Sequence, residues 1–71
     1  MSTWNYRIVK TKGSLYDEYE IREVFYDEIG NPTFCIDEPS CPYGETIEEL
    51  KEDYELMKKA FDKPVLNYED F

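Results

Sequence analysis

The sequence predicts an α+β fold, a three-stranded antiparallel β-meander packed against one C-terminal α-helix in the order βββα. Three observations carry this expectation. Aromatic and β-branched residues alternate with polar ones near the start of the chain. A dense turn signal, Asp27-Glu28-Ile29-Gly30-Asn31-Pro32, separates two strand-like runs. Thr46-Ile47-Glu48-Glu49 then opens a stretch of helical periodicity with a capping box.

In order along the chain, Trp4 to Thr11 reads as the first strand, with Trp4, Tyr6 and Ile8 on one face and Asn5, Arg7 and Val9 on the other. Lys12-Gly13-Ser14 supplies a turn. Tyr19 to Tyr26 is the second strand, in which Tyr19, Ile21 and Phe25 share one parity and Val24 and Tyr26 the other; Glu23 interrupts the more apolar parity. Thr33 to Asp37 returns as the third strand, with Phe34 and Ile36 facing away from Cys35. Pro39 and Pro42 remove ladder donors, so Glu38 to Gly44 is a loop.

In the helix, the Thr46 hydroxyl accepts from the Glu49 amide and the Glu49 carboxylate is expected to reach back to the Thr46 amide. Glu48 and Glu49 at its start and Lys58 and Lys59 at its end oppose the macrodipole favourably. Ile47, Leu50, Tyr54, Met57 and Phe61 fall at intervals of 3, 4, 3 and 4, a single stripe expected to face the core. Pro64 disfavours helical backbone at Lys63 and bounds the helix near Asp62. The whole chain, 1–71, is expected to be a single domain, with 64–71 a loosely docked tail.

Composition narrows the function. The 71 residues carry 17 Asp/Glu against 8 Lys/Arg, a formal charge of −9, with no histidine. Phosphate backbones are bound by Lys and Arg that displace condensed counterions, so direct nucleic-acid binding and anionic membranes are disfavoured. No apolar run approaches the ~20 residues that span a bilayer. The opening residues, Met1 to Arg7, lack a basic stretch followed by an apolar one, which points to a cytoplasmic protein. At 41% hydrophobic residues, with seven Tyr, four Phe and one Trp, the chain has material for one small core and none for a deep pocket.

Chemistry is correspondingly sparse. Without histidine, the Cys–His arrangement that activates a thiol is missing, and Cys35 and Cys41 are expected to be free thiols, a local disulfide being the alternative. A structural zinc site would need ligands from a second chain. The D-x-[DN]-x-[DN]-G calcium loop is absent, and Gly13, Gly30 and Gly44 are isolated rather than gathered in a phosphate loop. No enzymatic activity, metal or cofactor is expected.

Acidic pairs recur at Asp17-Glu18, Asp27-Glu28, Asp37-Glu38 and Glu48-Glu49, spaced by ten, ten and eleven. Strands of seven or eight residues place charged ends at such a pitch. In a meander, Asp17, Glu18, Asp37, Glu38, Glu45, Glu48 and Glu49 would gather at one pole, with Asp27 and Glu28 at the other, about 33 Å away for ten extended residues. Glu52 continues that charge along the helix, and Leu56 projects opposite the core stripe amid charged neighbours. Both parities of the second strand are apolar, so one sheet face should stay open to a second copy or another protein.

The stretch Asp37-Glu38-Pro39-Ser40-Cys41-Pro42-Tyr43-Gly44-Glu45-Thr46-Ile47-Glu48-Glu49-Leu50 resembles the strand-to-helix junction of HicB-like antitoxin modules, D-x-P-x-C followed by G-[DE]-T-x-E-E and an amphipathic helix. An apolar, proline-bearing segment after the helix, Lys63-Pro64-Val65-Leu66, is also similar. The resemblance implies a sheet-and-helix module that oligomerises and neutralises a small basic RNA-cleaving toxin. The Asp27 to Pro32 hairpin is an addition to that pattern, and no DNA-binding region follows the helix, so control of transcription is not carried over. The function expected is therefore a small acidic, non-enzymatic, inhibitor-like module that binds a basic protein through Asp17, Glu18, Asp37, Glu38, Glu45, Glu48, Glu49, Glu52 and Leu56. Its rivals are a nucleic-acid mimic that occupies the groove of a DNA- or RNA-binding protein, and a structural homodimer or larger homo-oligomer.

Overall fold

The computed structural model describes residues 3–71; Met1 and Ser2, the first residues of the opening stretch read above, lie outside them. The fold is α+β, with strands β1 (Thr3–Lys12), β2 (Asp17–Tyr26) and β3 (Pro32–Cys35), helix α1 (Ile47–Lys58), a 3₁₀ turn (Lys59–Asp62), a short strand β4 (Leu66–Asn67) and a last 3₁₀ turn (Tyr68–Asp70). The sheet has four strands in the order β3-β2-β1-β4, not three. The first three form the expected antiparallel meander. The fourth comes from the segment after Pro64 and lies parallel to β1, with Val9 opposite Leu66 and Lys10 opposite Asn67. Two residues leave too faint an alternation for a strand to be read from sequence.

The hairpin between β2 and β3 follows from its side chains. Asp27 Oδ1 accepts from the amides of Ile29 and Asn31, and Gly30 takes φ 92°, a backbone state open mainly to glycine. Beyond Cys35 the chain leaves the ladder, two residues sooner than expected. It still tracks β2 through Ile36 N–H donating to the Glu23 carbonyl and Ser40 N–H to that of Ile21. With Val24 opposite Cys35, Asp37 falls beside the middle of β2 and not at the Asp17 end.

The core is small. Val9, Val24 and Cys35 form its fully hidden cluster, with Tyr26 and Leu66 against it. The segment after Pro64 closes this face of the sheet, bringing the Tyr68 ring over the buried Arg22 guanidinium, 5.0 Å to the ring centre, while Tyr68 Oη donates to Asp37 at 3.0 Å. Buried Arg7 donates to the Pro64 carbonyl and to Tyr26 Oη, which fastens the same segment to β1.

The opposite face carries Tyr6 and is crossed by α1, yet not by the stripe expected. Of Ile47, Leu50, Tyr54, Met57 and Phe61, only Met57 is buried; Ile47 is 82% exposed, Tyr54 51% and Phe61 70%. The line turned to the sheet is Asp53, Met57 and Ala60, so the helix is rotated by roughly 70° at 100° per residue. The cause is polar. Tyr6 Oη donates to Asp53 Oδ1 at 2.7 Å, and Asp53 Oδ2 accepts from the Tyr43 amide at 2.9 Å. A phenol on an apolar face needs an acceptor, and Asp53 supplies it from the helix. Ala60, with no side chain beyond Cβ, lets the end of the helix approach β1 closely.

Candidate functional site

Between the Tyr6 face of the sheet, the loop after β3 and α1 lies an open cleft of ≈ 590 Å³. Its lining includes five carboxylates, Glu23, Glu38, Glu49, Glu52 and Asp53, and no lysine or arginine. Three elements bring them together. Glu23 sits on β2 directly opposite Tyr6 of β1, Glu38 rides on the loop, and Glu49, Glu52 and Asp53 come from the first two turns of the helix. Leu56 supplies an apolar wall.

Two of the five carboxylates are committed to holding the cleft together. Asp53 bonds to both sheet and loop as described, and Glu49 Oε2 accepts from the Glu45 amide at 3.0 Å. The capping box thus differs in detail from expectation: the Thr46 hydroxyl accepts from the Glu49 amide at 3.1 Å, but the Glu49 carboxylate reaches Glu45, one residue further back than Thr46. Among the described residues, the carboxylates of Glu23, Glu38 and Glu52 make no hydrogen bond or ion pair. They are three negative groups on a half-walled surface with their charge unspent.

Burial, the bond to Asp53 and the charges of Asp53 and Glu23 all push the Tyr6 phenol well above its ordinary range. A phenol held protonated in the fold and free to ionise near pH 10 when unfolded adds stability that is whole below about pH 10 and falls as pH rises past it. Cys35, raised chiefly by burial, adds to this fall from the thiol range upward. Thermal melts between about pH 8 and pH 11 should therefore show a steep alkaline loss. Tyr6→Phe should flatten the tyrosine part of that loss and cost about 1 to 2 kcal/mol at neutral pH, because Asp53 Oδ1 loses its donor.

Of the residues expected to bind a partner, Glu38, Glu49, Glu52 and Leu56 line the cleft. The others do not join them. Asp17 pairs with Lys10 at 3.3 Å, Glu18 lies across from Thr11 on the ladder, and Asp37 is taken up by Tyr68. Glu45 contributes its amide to Glu49, and Glu48 is exposed in the first turn of the helix. The shortness of β3 is what divides the expected pole. Leu56 does not stand opposite the buried face: with the helix rotated, it flanks the cleft and is half-exposed.

Glu23, Asp53 and Tyr6 are the site residues that the sequence reading passed over. Each left a trace. Glu23 is the acid on the otherwise apolar parity of β2, and Asp53 lies i−4 from Met57 and i−7 from Ala60 on one line of the helix. A second, apolar groove of ≈ 340 Å³ adjoins the cleft and shares Tyr6 and Leu56 with it. Trp4 stands at its edge, edge-on to Tyr6 at 5.2 Å, and begins an aromatic row across the sheet through Phe25 and Phe34.

Among the described residues no three His, Cys, Asp or Glu side chains converge closely enough to hold a metal ion. Cys41 is exposed on the cleft rim, and Cys35 is buried in the core; both are free. No helix of the described residues is long and apolar enough to cross a membrane. No family model, curated protein or solved structure matches the chain.

Proposed function

We propose that the chain is a small, non-enzymatic, inhibitor-like module whose acidic cleft receives basic side chains of a protein partner. The observation that carries this reading is the cleft itself: five carboxylates line it, no lysine or arginine does, and Glu23, Glu38 and Glu52 have no partner among the described residues. Carboxylates spread over several elements suit several separate Lys or Arg groups, each reached by a charge-assisted hydrogen bond. The segment that resembles HicB-like antitoxins supports the inhibitor reading, since Glu38, Pro39, Ser40, Cys41, Tyr43 and Glu49 of that segment form one wall of the cleft. The overall charge of −9 would speed encounter with a basic protein, at a rate that falls with ionic strength.

The test is affinity capture from the native lysate at low and at high salt, with and without competing DNA or RNA, using the native chain and Glu23→Gln/Glu38→Gln/Glu52→Gln. One basic protein should be held at low salt, persist against nucleic acid, and bind the triple variant about 10-fold more weakly or worse. Return of the bait alone, or equal capture by the variant, overturns the reading. Displacement by nucleic acid would instead place the cleft over the partner's own nucleic-acid site.

A further inference from the structure

The rotation of α1 leaves Ile47, Leu50 and Tyr54 along one flank of the helix, and Phe61 follows in the 3₁₀ turn after it, with Ile47, Tyr54 and Phe61 each at least half exposed. We propose that this ridge pairs with the same ridge of a second copy, the two helices running antiparallel across a two-fold axis beside Tyr54. This inference stands apart from the cleft and its partner.

Over the whole chain, more surface stays exposed than a compact monomer of this mass would leave. A compact protein of 8.6 kDa is expected to expose about 4,700 Å². This chain exposes 5563 Å². The excess is close to the ~800 Å² that each partner gives to an interface of standard size. The radius of gyration agrees, at 12.9 Å against about 11 Å for a compact chain of this length.

Charge and symmetry argue that the occupant is a copy. Beside the ridge stand Glu48, Lys51, Glu55, Lys58 and Asp62, three acids against two lysines, with Lys58 Nζ 3.9 Å from the Glu55 carboxylate. This flank is close to balanced in charge, so it repels its own kind far less than the cleft would. Ile47 and Phe61 lie seven residues before and after Tyr54. A two-fold axis at Tyr54 therefore sets Tyr54 against Tyr54 and each Ile47 against the other copy's Phe61, as a self-complementary interface requires.

Sedimentation of the full chain alone, from about 1 µM to 1 mM, should show a mass rising from 8.6 kDa to twice that value. Added salt should tighten the association, because it screens the repulsion of two acidic chains, the opposite of its effect on the cleft. Tyr54→Glu should weaken pairing about 30-fold or more. In a Cys41→Ser background, Tyr54→Cys should form an interchain disulfide under mild oxidation, and Leu15→Cys, on the most exposed large apolar side chain, should not. A chain that stays monomeric throughout, a dimer indifferent to Tyr54→Glu, or crosslinking no faster at Tyr54→Cys than at Leu15→Cys overturns the proposal.

Discussion

Gly44→Ala should remove about 3 kcal/mol of stability, roughly half of what a chain of this size is expected to have. The reason is space. A Cβ at Gly44 would strike the Leu50 amide nitrogen and lie within 2.6 Å of the Glu49 carbonyl carbon, both rigid parts of the first turn of α1. The loop would have to lift, and with it the Tyr43 amide that reaches Asp53 and the Glu45 amide that reaches Glu49. The helix start and the cleft wall would loosen together. Gly30 gives the contrast: its φ of 92° disfavours a side chain, but a Cβ there meets nothing within 4 Å. Gly30→Ala should cost only about 1 to 2 kcal/mol. Urea unfolding of both variants, with helix content followed by circular dichroism, distinguishes collision from backbone preference.

Arg22→Ala is expected to cost about 3 kcal/mol, and Arg22→Met distinctly less. Arg22 is buried on β2, where its guanidinium bonds to Glu20 Oε2 at 2.7 and 2.8 Å and to the Ile36 carbonyl at 3.0 Å, beneath the Tyr68 ring. One side chain thus ties the sheet to the segment leaving β3 and to the turn after β4. Truncation strands a largely buried carboxylate at Glu20 and opens a void under Tyr68. Methionine fills that void and leaves only the polar loss. Stability by urea titration, together with amide exchange at 66–71, should show the second region loosening first in Arg22→Ala and holding longer in Arg22→Met.

Residues whose neighbours in sequence decide their state were legible. The β2–β3 hairpin follows from Asp27 and Gly30, and the helix start from Thr46, because both are local hydrogen-bonding devices. What could not be read depends on distant pairing. Apolar spacing identifies a helix but does not decide which line of it meets the sheet, and here the line that does so carries Asp53, bonded to Tyr6 47 residues away, and the small Ala60 in place of the apolar stripe. The short β4 depends likewise on Val9 and on the carbonyl of Pro64 meeting Arg7. The candidate site was half legible for the same reason. Glu38, Glu49 and Glu52 could be named, whereas Glu23 and Asp53 join them only once the sheet register and the rotation of the helix are known.

The parallel pairing of β4 with β1 is expected to be the last step of assembly. The hairpins of β1, β2 and β3 close over short loops, while Arg7 must find Pro64 across 57 residues before Leu66 can cover Val9. Loop closure over that span should come late and slow the final step, which stopped-flow refolding of Arg7→Met against the native chain would read. Until it is made, the apolar cluster under Leu66 stands open on a sheet already formed, so the interval before closure is when this chain is most prone to clump with its neighbours.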